Sequence, residues 1–145
     1  MSRYGVQIKR DPNPRLPLAM RRIASKRGEG EPYTVCDLYR DCLIAYTDAH
    51  TSFANVEHHN NFITRTVYVR DNGGEHDKFL TLAKSGGLTS LGKLLEAAIK
   101  YCLDDEINMQ LAIIAKQEEV AAQLTKTLGR TILLGEPYHA NQNDD

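Results

Sequence analysis

The chain has 145 residues, 41% hydrophobic and 26% charged, with a formal net charge of −1. That length fits one compact domain, or one domain plus an appendage, and the composition is that of an ordinary soluble globular protein. No apolar run approaches the roughly 20 residues of a membrane span, and the first residues lack the apolar stretch of a secretory signal, so a cytoplasmic protein with no membrane partner is expected.

Three cysteines, Cys36, Cys42 and Cys102, without CxxC spacing make a poor disulfide framework and a poor zinc site; they read as small core residues on helices. The near-neutral total hides a polarity. Residues 1–27 carry eight cations against Asp11 alone, a net of +7, and residues 104–145 carry three against eight acids, a net of −5. A basic head and an acidic tail suggest a polyanion at one end and a different partner at the other.

Along the chain, Tyr4, Val6 and Ile8 alternate with Arg3, Gln7 and Lys9, the period of a strand with one buried face. Asp11-Pro12-Asn13-Pro14 stops it. Asn13 is placed to cap a helix opened by Pro14, although Pro17 is tolerated only in a first turn and moves the start a residue or two later. Leu16, Met20, Ile23 and Ala24 give that helix its apolar stripe, and Gly28-Glu29-Gly30-Glu31-Pro32 ends it. Thr34 then caps a second helix whose inward face is Val35, Leu38, Tyr39, Cys42, Leu43 and Tyr46. A polar stretch with His50, His58 and His59 follows as a linker. Adjacent histidines with no carboxylate or cysteine at ligand spacing point to solvent exposure rather than to a metal.

The cycle then restarts. Thr64, Thr66, Tyr68 and Arg70 alternate with Arg65, Val67 and Val69, and Asp71-Asn72-Gly73-Gly74 is the stop. A helix from Glu75 to Lys84 turns Phe79, Leu82 and Ala83 inward; Gly86-Gly87 ends it, and Ser90 or Thr89 caps the next, striped by Leu91, Leu94, Leu95, Ala98, Ile99 and Cys102. The copies match in order: Val6-Gln7-Ile8-Lys9 falls on Val67-Tyr68-Val69-Arg70, and Leu38, Tyr39, Cys42 and Leu43 fall on Leu94, Leu95, Ala98 and Ile99. The last helical pattern continues to about Leu128 along Leu103, Ile107, Leu111, Ile114, Ala121, Leu124 and Leu128. Its excess length has nothing to pack on within so small a domain, which suggests self-association or a partner groove. The expected layout is a first unit at 1–48, a linker at 49–61, a second unit at 62–103, a helical extension at 104–130 and an acidic, disordered tail at 131–145.

One strand with two helices leaves a strand edge unpaired and helix stripes bare. Pairing the two strands antiparallel buries Val6, Ile8, Val67 and Val69 with the helix stripes. The opposite face of the ribbon then shows Arg3, Gly5, Gln7 and Lys9 beside Thr64, Thr66, Tyr68 and Arg70. The DNA major groove admits a two-stranded ribbon, and these side chains suit base edges: Gln pairs with adenine, Lys and Arg with guanine, Thr with several. Arg3, Gln7, Lys9, Thr64, Thr66, Tyr68 and Arg70 are therefore the candidate base contacts. Arg10 and the helix N-termini at Thr34 and Ser90 are the candidate phosphate contacts. No catalytic constellation, metal site or cofactor motif appears with convincing context, so no enzyme and no cofactor is expected.

This α+β, mostly helical arrangement resembles the ribbon-helix-helix superfamily of the Arc, MetJ and CopG repressors. The second copy carries the likeness best, in Thr66-Val67-Tyr68-Val69-Arg70, the Glu75–Gly87 helix and stop, and Leu94-Leu95-Glu96-Ala97-Ala98-Ile99. Two copies in one chain are similar to the tandem TraY-type relaxosome proteins, and the likeness covers residues 3–103. The resemblance implies a single-chain pseudo-dimer that binds double-stranded DNA sequence-specifically, as a plasmid transfer-origin accessory factor or a transcriptional repressor. A relaxase or another protein would then be met through residues 104–145. Two other readings are an antitoxin or interaction scaffold acting through the last helix and tail, and a non-specific architectural protein, which salt-dependent binding without sequence preference would reveal.

Overall fold

Alternation makes the strands. β1 (Arg3–Lys9) and β2 (Thr64–Arg70) bury Val6, Ile8, Val67 and Val69 on one face and turn the residues between them outward. The computed structural model, which describes residues 2–53 and 63–129, pairs the two strands antiparallel. Val6 stands opposite Val67 at the centre, Arg3 opposite Arg70 at one end and Lys9 opposite Thr64 at the other. Backbone bonds carry the ladder one step past each end, from the Arg10 N–H to the Ile63 carbonyl (2.8 Å) and from the Asp71 N–H to the Ser2 carbonyl (3.0 Å). Tyr4, expected on the inward side, is half-buried and stacks on His76 with ring centroids 4.0 Å apart.

Among the described residues four helices surround the inner face: α1 (Leu16–Gly28), α2 (Val35–Ala49), α3 (Glu75–Ser85) and α4 (Gly92–Leu128). The Asn13 carboxamide oxygen accepts the Arg15 N–H (2.9 Å) and the Asn13 carbonyl accepts the Leu16 N–H (3.2 Å). Asn13-Pro14 is thus a turn, α1 begins two residues after Pro14, and Pro17 falls in its first turn, where a missing N–H costs nothing. α2 follows Thr34 as expected.

α4 departs from expectation at its start. Its N-cap is Leu91, with no side-chain cap bond, and neither Ser90 nor Thr89 plays that part. Two contacts account for this: the Leu91 side chain is buried, and Gly92 abuts the ribbon so closely that a Cβ there would lie 2.3 Å from the Gln7 carbonyl oxygen. Helix and ribbon meet through that glycine. Gly129, at φ 72°, closes α4 by donating its N–H to the Thr125 carbonyl (2.8 Å).

The core draws on every element, with Leu38, Leu43, Leu94 and Leu95 fully enclosed between α2 and α4, and Ile23, Phe79 and Val69 beside them. Cys42 is buried, and Cys36 and Cys102 are half-buried, all three as free thiols on α2 and α4. Phe53, within the expected linker, is also a core residue: its N–H bonds Ser85 Oγ (2.8 Å) and it fills the space beside Gly86. His58 and His59 lie outside the described residues, as does the expected tail at 131–145.

The extension of α4 is not bare. This 37-residue helix is about 55 Å long, and α1 runs antiparallel along part of it. Arg27 bonds Glu106 (2.5 Å), Arg22 bonds Gln117 (2.8 Å) and Arg15 bonds Glu118 (2.7 Å). Leu103 and Ile114 are buried, while Leu124 and Leu128, further along the expected seam, are exposed. The expectation of an unpacked extension is therefore corrected over its first half. The charge polarity gains a second meaning too: cations of the basic head face acids of the acidic segment within one molecule.

Candidate nucleic-acid interface

Seven side chains or glycines of the ribbon's outer face are exposed: Arg3, Gly5, Gln7, Lys9, Thr64, Thr66 and Tyr68. Two diagonal contacts order them. The Arg3 guanidinium lies over the Tyr68 ring, 4.8 Å from its centroid, and the Thr64 hydroxyl donates to Gln7 Oε1 (2.7 Å). Between these pairs the ribbon is thin, because Gly5 lets the Thr66 methyl and the Tyr68 ring close over it. The face offers amide, hydroxyl and guanidinium groups with both donor and acceptor capacity.

Arg70 is placed differently from the other six candidate base contacts. It is half-buried, its Nε donates to Asp37 Oδ1 (2.9 Å), and its Nη2 reaches Thr34 Oγ1 (3.4 Å). Asp37 in turn accepts the Thr34 N–H (2.8 Å) and hydroxyl (3.1 Å), a capping box at the α2 N-terminus. A candidate base contact and a candidate phosphate contact are thus joined in one cluster with a carboxylate at its centre. Burial pushes the Asp37 carboxyl up, but the Arg70 and Thr34 donors outweigh it and hold it below its ordinary value. The spacing Thr34-x-x-Asp37 is the local signal in the sequence for this residue.

At the opposite end of the ribbon, the Lys9 N–H donates to Glu96 Oε2 (2.7 Å), so a carboxylate of α4 holds the backbone there, whereas Asp37 holds the Arg70 side chain. Nothing in the local pattern around Glu96 marks it for this role. Arg10, the next residue, is exposed and extends the ladder. Ser90 is exposed two residues before α4, whose first residue touches the ribbon at Gln7. Arg10 and Ser90 thus belong to the Lys9 half of the ribbon, and Thr34 to the Arg70 end.

Among the described residues no group of three or more His, Cys, Asp or Glu side chains is placed to hold a metal ion. No helix among them is long and apolar enough to cross a membrane. No protein-family model, curated protein or solved structure matches the chain.

Proposed function

We propose that the chain binds double-stranded DNA by laying the β1–β2 ribbon in the major groove, its two strand-helix-helix units forming a pseudo-dimer of the ribbon-helix-helix type. One observation carries this reading. Val6 and Val67 are equivalent in the two copies of the sequence pattern, and they are also partners across the ladder. A local twofold axis through that pair relates the strands. The same axis relates the two diagonal contacts, since Arg3 and Tyr68 are the equivalents of Thr64 and Gln7. A ribbon built on a twofold matches the backbone symmetry of duplex DNA, and its width suits a groove about 12 Å across.

Within this reading Gln7 and Thr66, at the centre of the face, read base edges. Arg3, Lys9, Thr64 and Tyr68 flank them, and Arg70 sits at the rim under the control of Asp37. Arg10, Ser90 and the α2 N-terminus at Thr34 contact phosphates on either side. Because the two copies carry different side chains, the element read is non-palindromic. The setting that fits a single-chain ribbon best is a plasmid transfer origin marked for a relaxase, with repression of neighbouring genes as the companion role.

The test is a fluorescence-anisotropy titration with duplexes from the DNA upstream of the protein's own gene, against scrambled duplexes. Gln7→Ala, Lys9→Ala and Thr66→Ala together should lower specific affinity at least tenfold, since a good base contact is worth about 1–3 kcal/mol. Affinity indifferent to the triple change would sink the ribbon-in-groove reading.

A further inference from the structure

At the Arg70 end of the ribbon three donors converge on one carboxylate. Asp37 accepts the Arg70 Nε–H (2.9 Å), the Thr34 N–H (2.8 Å) and the Thr34 hydroxyl (3.1 Å). A guanidinium, a backbone amide at a helix N-terminus and a hydroxyl are the groups with which proteins bind phosphate oxygens. Here the anion they bind is part of the chain itself. The pair is mostly enclosed, with 23% of the Arg70 side chain and 22% of the Asp37 side chain exposed. Three residues further along α2, Arg40 is held in the same way, its Nε and Nη2 each 2.8 Å from a Glu75 oxygen.

The other half of the molecule carries the opposite charge at the equivalent place. Arg70 corresponds to Lys9, and Asp37, one residue before the Leu38–Leu94 match, corresponds to Lys93; Thr34 corresponds to Ser90 by the same spacing. α2 has Asp37 in its first turn, closing a capping box, whereas α4 has no acidic residue in its first turn and no side-chain cap bond. The carboxylate on that side, Glu96, lies three residues further into the helix than Lys93 and accepts the Lys9 backbone N–H. The first turn of α4 is thus cationic where that of α2 is anionic, and the exposed Arg10 follows Lys9 on the strand.

We infer that Asp37 is an internal competitor of phosphate, filling the anion position on the Arg70 side so that the chain grips the DNA backbone firmly through its Lys9 half and loosely through its Arg70 half. This inference rests on the DNA-binding reading and deepens it. Asp37 is a positioning residue that acts through Arg70 and Thr34, whose donors a phosphate gains only by displacing the carboxylate.

The consequence is a change of sign. Removing the carboxylate from an enclosed ion pair costs stability, yet here it also removes a negative charge from the rim of the groove and turns Arg70 toward the DNA. Asp37→Asn keeps an oxygen for the cap and loses only the charge. Because phosphates carry no sequence, the gain in binding extends to any duplex.

Fluorescence anisotropy on the full chain tests this, with the upstream duplex and a scrambled one titrated across a series of salt concentrations. Asp37→Asn should bind both duplexes about fivefold more tightly, and its slope of log affinity against log salt should steepen by about one, the worth of one further phosphate contact. Adding Arg70→Gln to Asp37→Asn should remove most of that gain. In the other half, Lys93→Glu sets a carboxylate at the equivalent position, where the helix N-terminus tolerates it, and should weaken binding to both duplexes about tenfold with a shallower slope. Circular dichroism reads the folding of each variant, and Lys93→Glu carries the test if Asp37→Asn perturbs it. A purely structural Asp37 would leave the salt slope unchanged or lower the affinity on substitution. Either result overturns the inference, as does a Lys93→Glu chain that binds as tightly as the unaltered one. An unaltered chain that binds neither duplex removes the DNA reading itself; one that binds while Asp37→Asn gains nothing removes this inference alone.

Discussion

The Arg70 guanidinium lies 2.9 Å from the Asp37 carboxylate, joining the last residue of β2 to the first turn of α2. Both side chains are about three-quarters enclosed, so the pair is stronger than a fully solvated one. Asp37 holds its proton less tightly in the folded chain than a carboxylate does when unfolded. A depressed folded value means that its contribution is complete above the ordinary pKa of 3.8 and fades as pH falls from there through the lower folded value. Asp37→Asn should cost about 1 kcal/mol at neutral pH. It should also flatten the acid limb of stability against pH. Urea unfolding from pH 7 down to 3 checks both; identical acid limbs would mean that the pair contributes nothing.

Gly92 decides how closely α4 meets the ribbon. Alanine is the better helix former by about 1 kcal/mol, yet its Cβ would lie 2.3 Å from the Gln7 carbonyl oxygen, a backbone atom that cannot rotate away. The clash should win. Gly92→Ala should destabilise the chain by about 1–3 kcal/mol and perturb amide exchange in β1. A more stable variant would show that α4 stands further from the ribbon.

The docking of α1 on α4 involves both ions and apolar packing, and their magnitudes differ. Arg15–Glu118 and Arg27–Glu106 are each more than a third exposed, so each contributes at most about 1 kcal/mol. Ile114 is 1% exposed, and truncating such a residue costs about 2–4 kcal/mol. Glu106→Gln and Glu118→Gln should therefore each shift a denaturation midpoint less than Ile114→Ala does. Sodium chloride should narrow the charge contribution without touching the isoleucine one. The reverse ranking would make this contact electrostatic at root.

What was legible in the sequence follows from the range of the forces concerned. Period-2 alternation around Val6 and Val67 marks both strands and their buried faces, because the pleat imposes it locally. Gly86 and Gly87 likewise mark the end of α3 through short-range backbone preferences. The α1–α4 contact was not legible: the charges of Arg15 and Glu118 were visible, but sequence distance gives sign and not proximity. Leu91 displaced Ser90 as the N-cap of α4 because its burial, a tertiary matter, outweighed the local capping preference. Asp37 had a visible capping spacing, while its partner Arg70 lies 33 residues away in sequence.

Gly5 offers the sharpest separation of stability from recognition. A Cβ there would lie 3.1 Å from Thr66 Cγ2 and 3.5 Å from Tyr68 Cε1, so Gly5→Ala moves the Thr66 methyl by a few tenths of an ångström and meets the Tyr68 ring in ordinary contact. The strand loses no hydrogen bond, and the unfolded chain loses some freedom, which keeps the stability change within about 1 kcal/mol. The outer face changes more, since the new methyl stands between Thr66 and Tyr68 on the exposed side of the ribbon. If the ribbon enters the groove, specific DNA affinity should fall about tenfold, a loss of about 1.4 kcal/mol, while the unfolding midpoint barely moves. Paired anisotropy and urea titrations read the two quantities side by side. Equal affinity in both proteins would place the centre of this face outside the DNA contact.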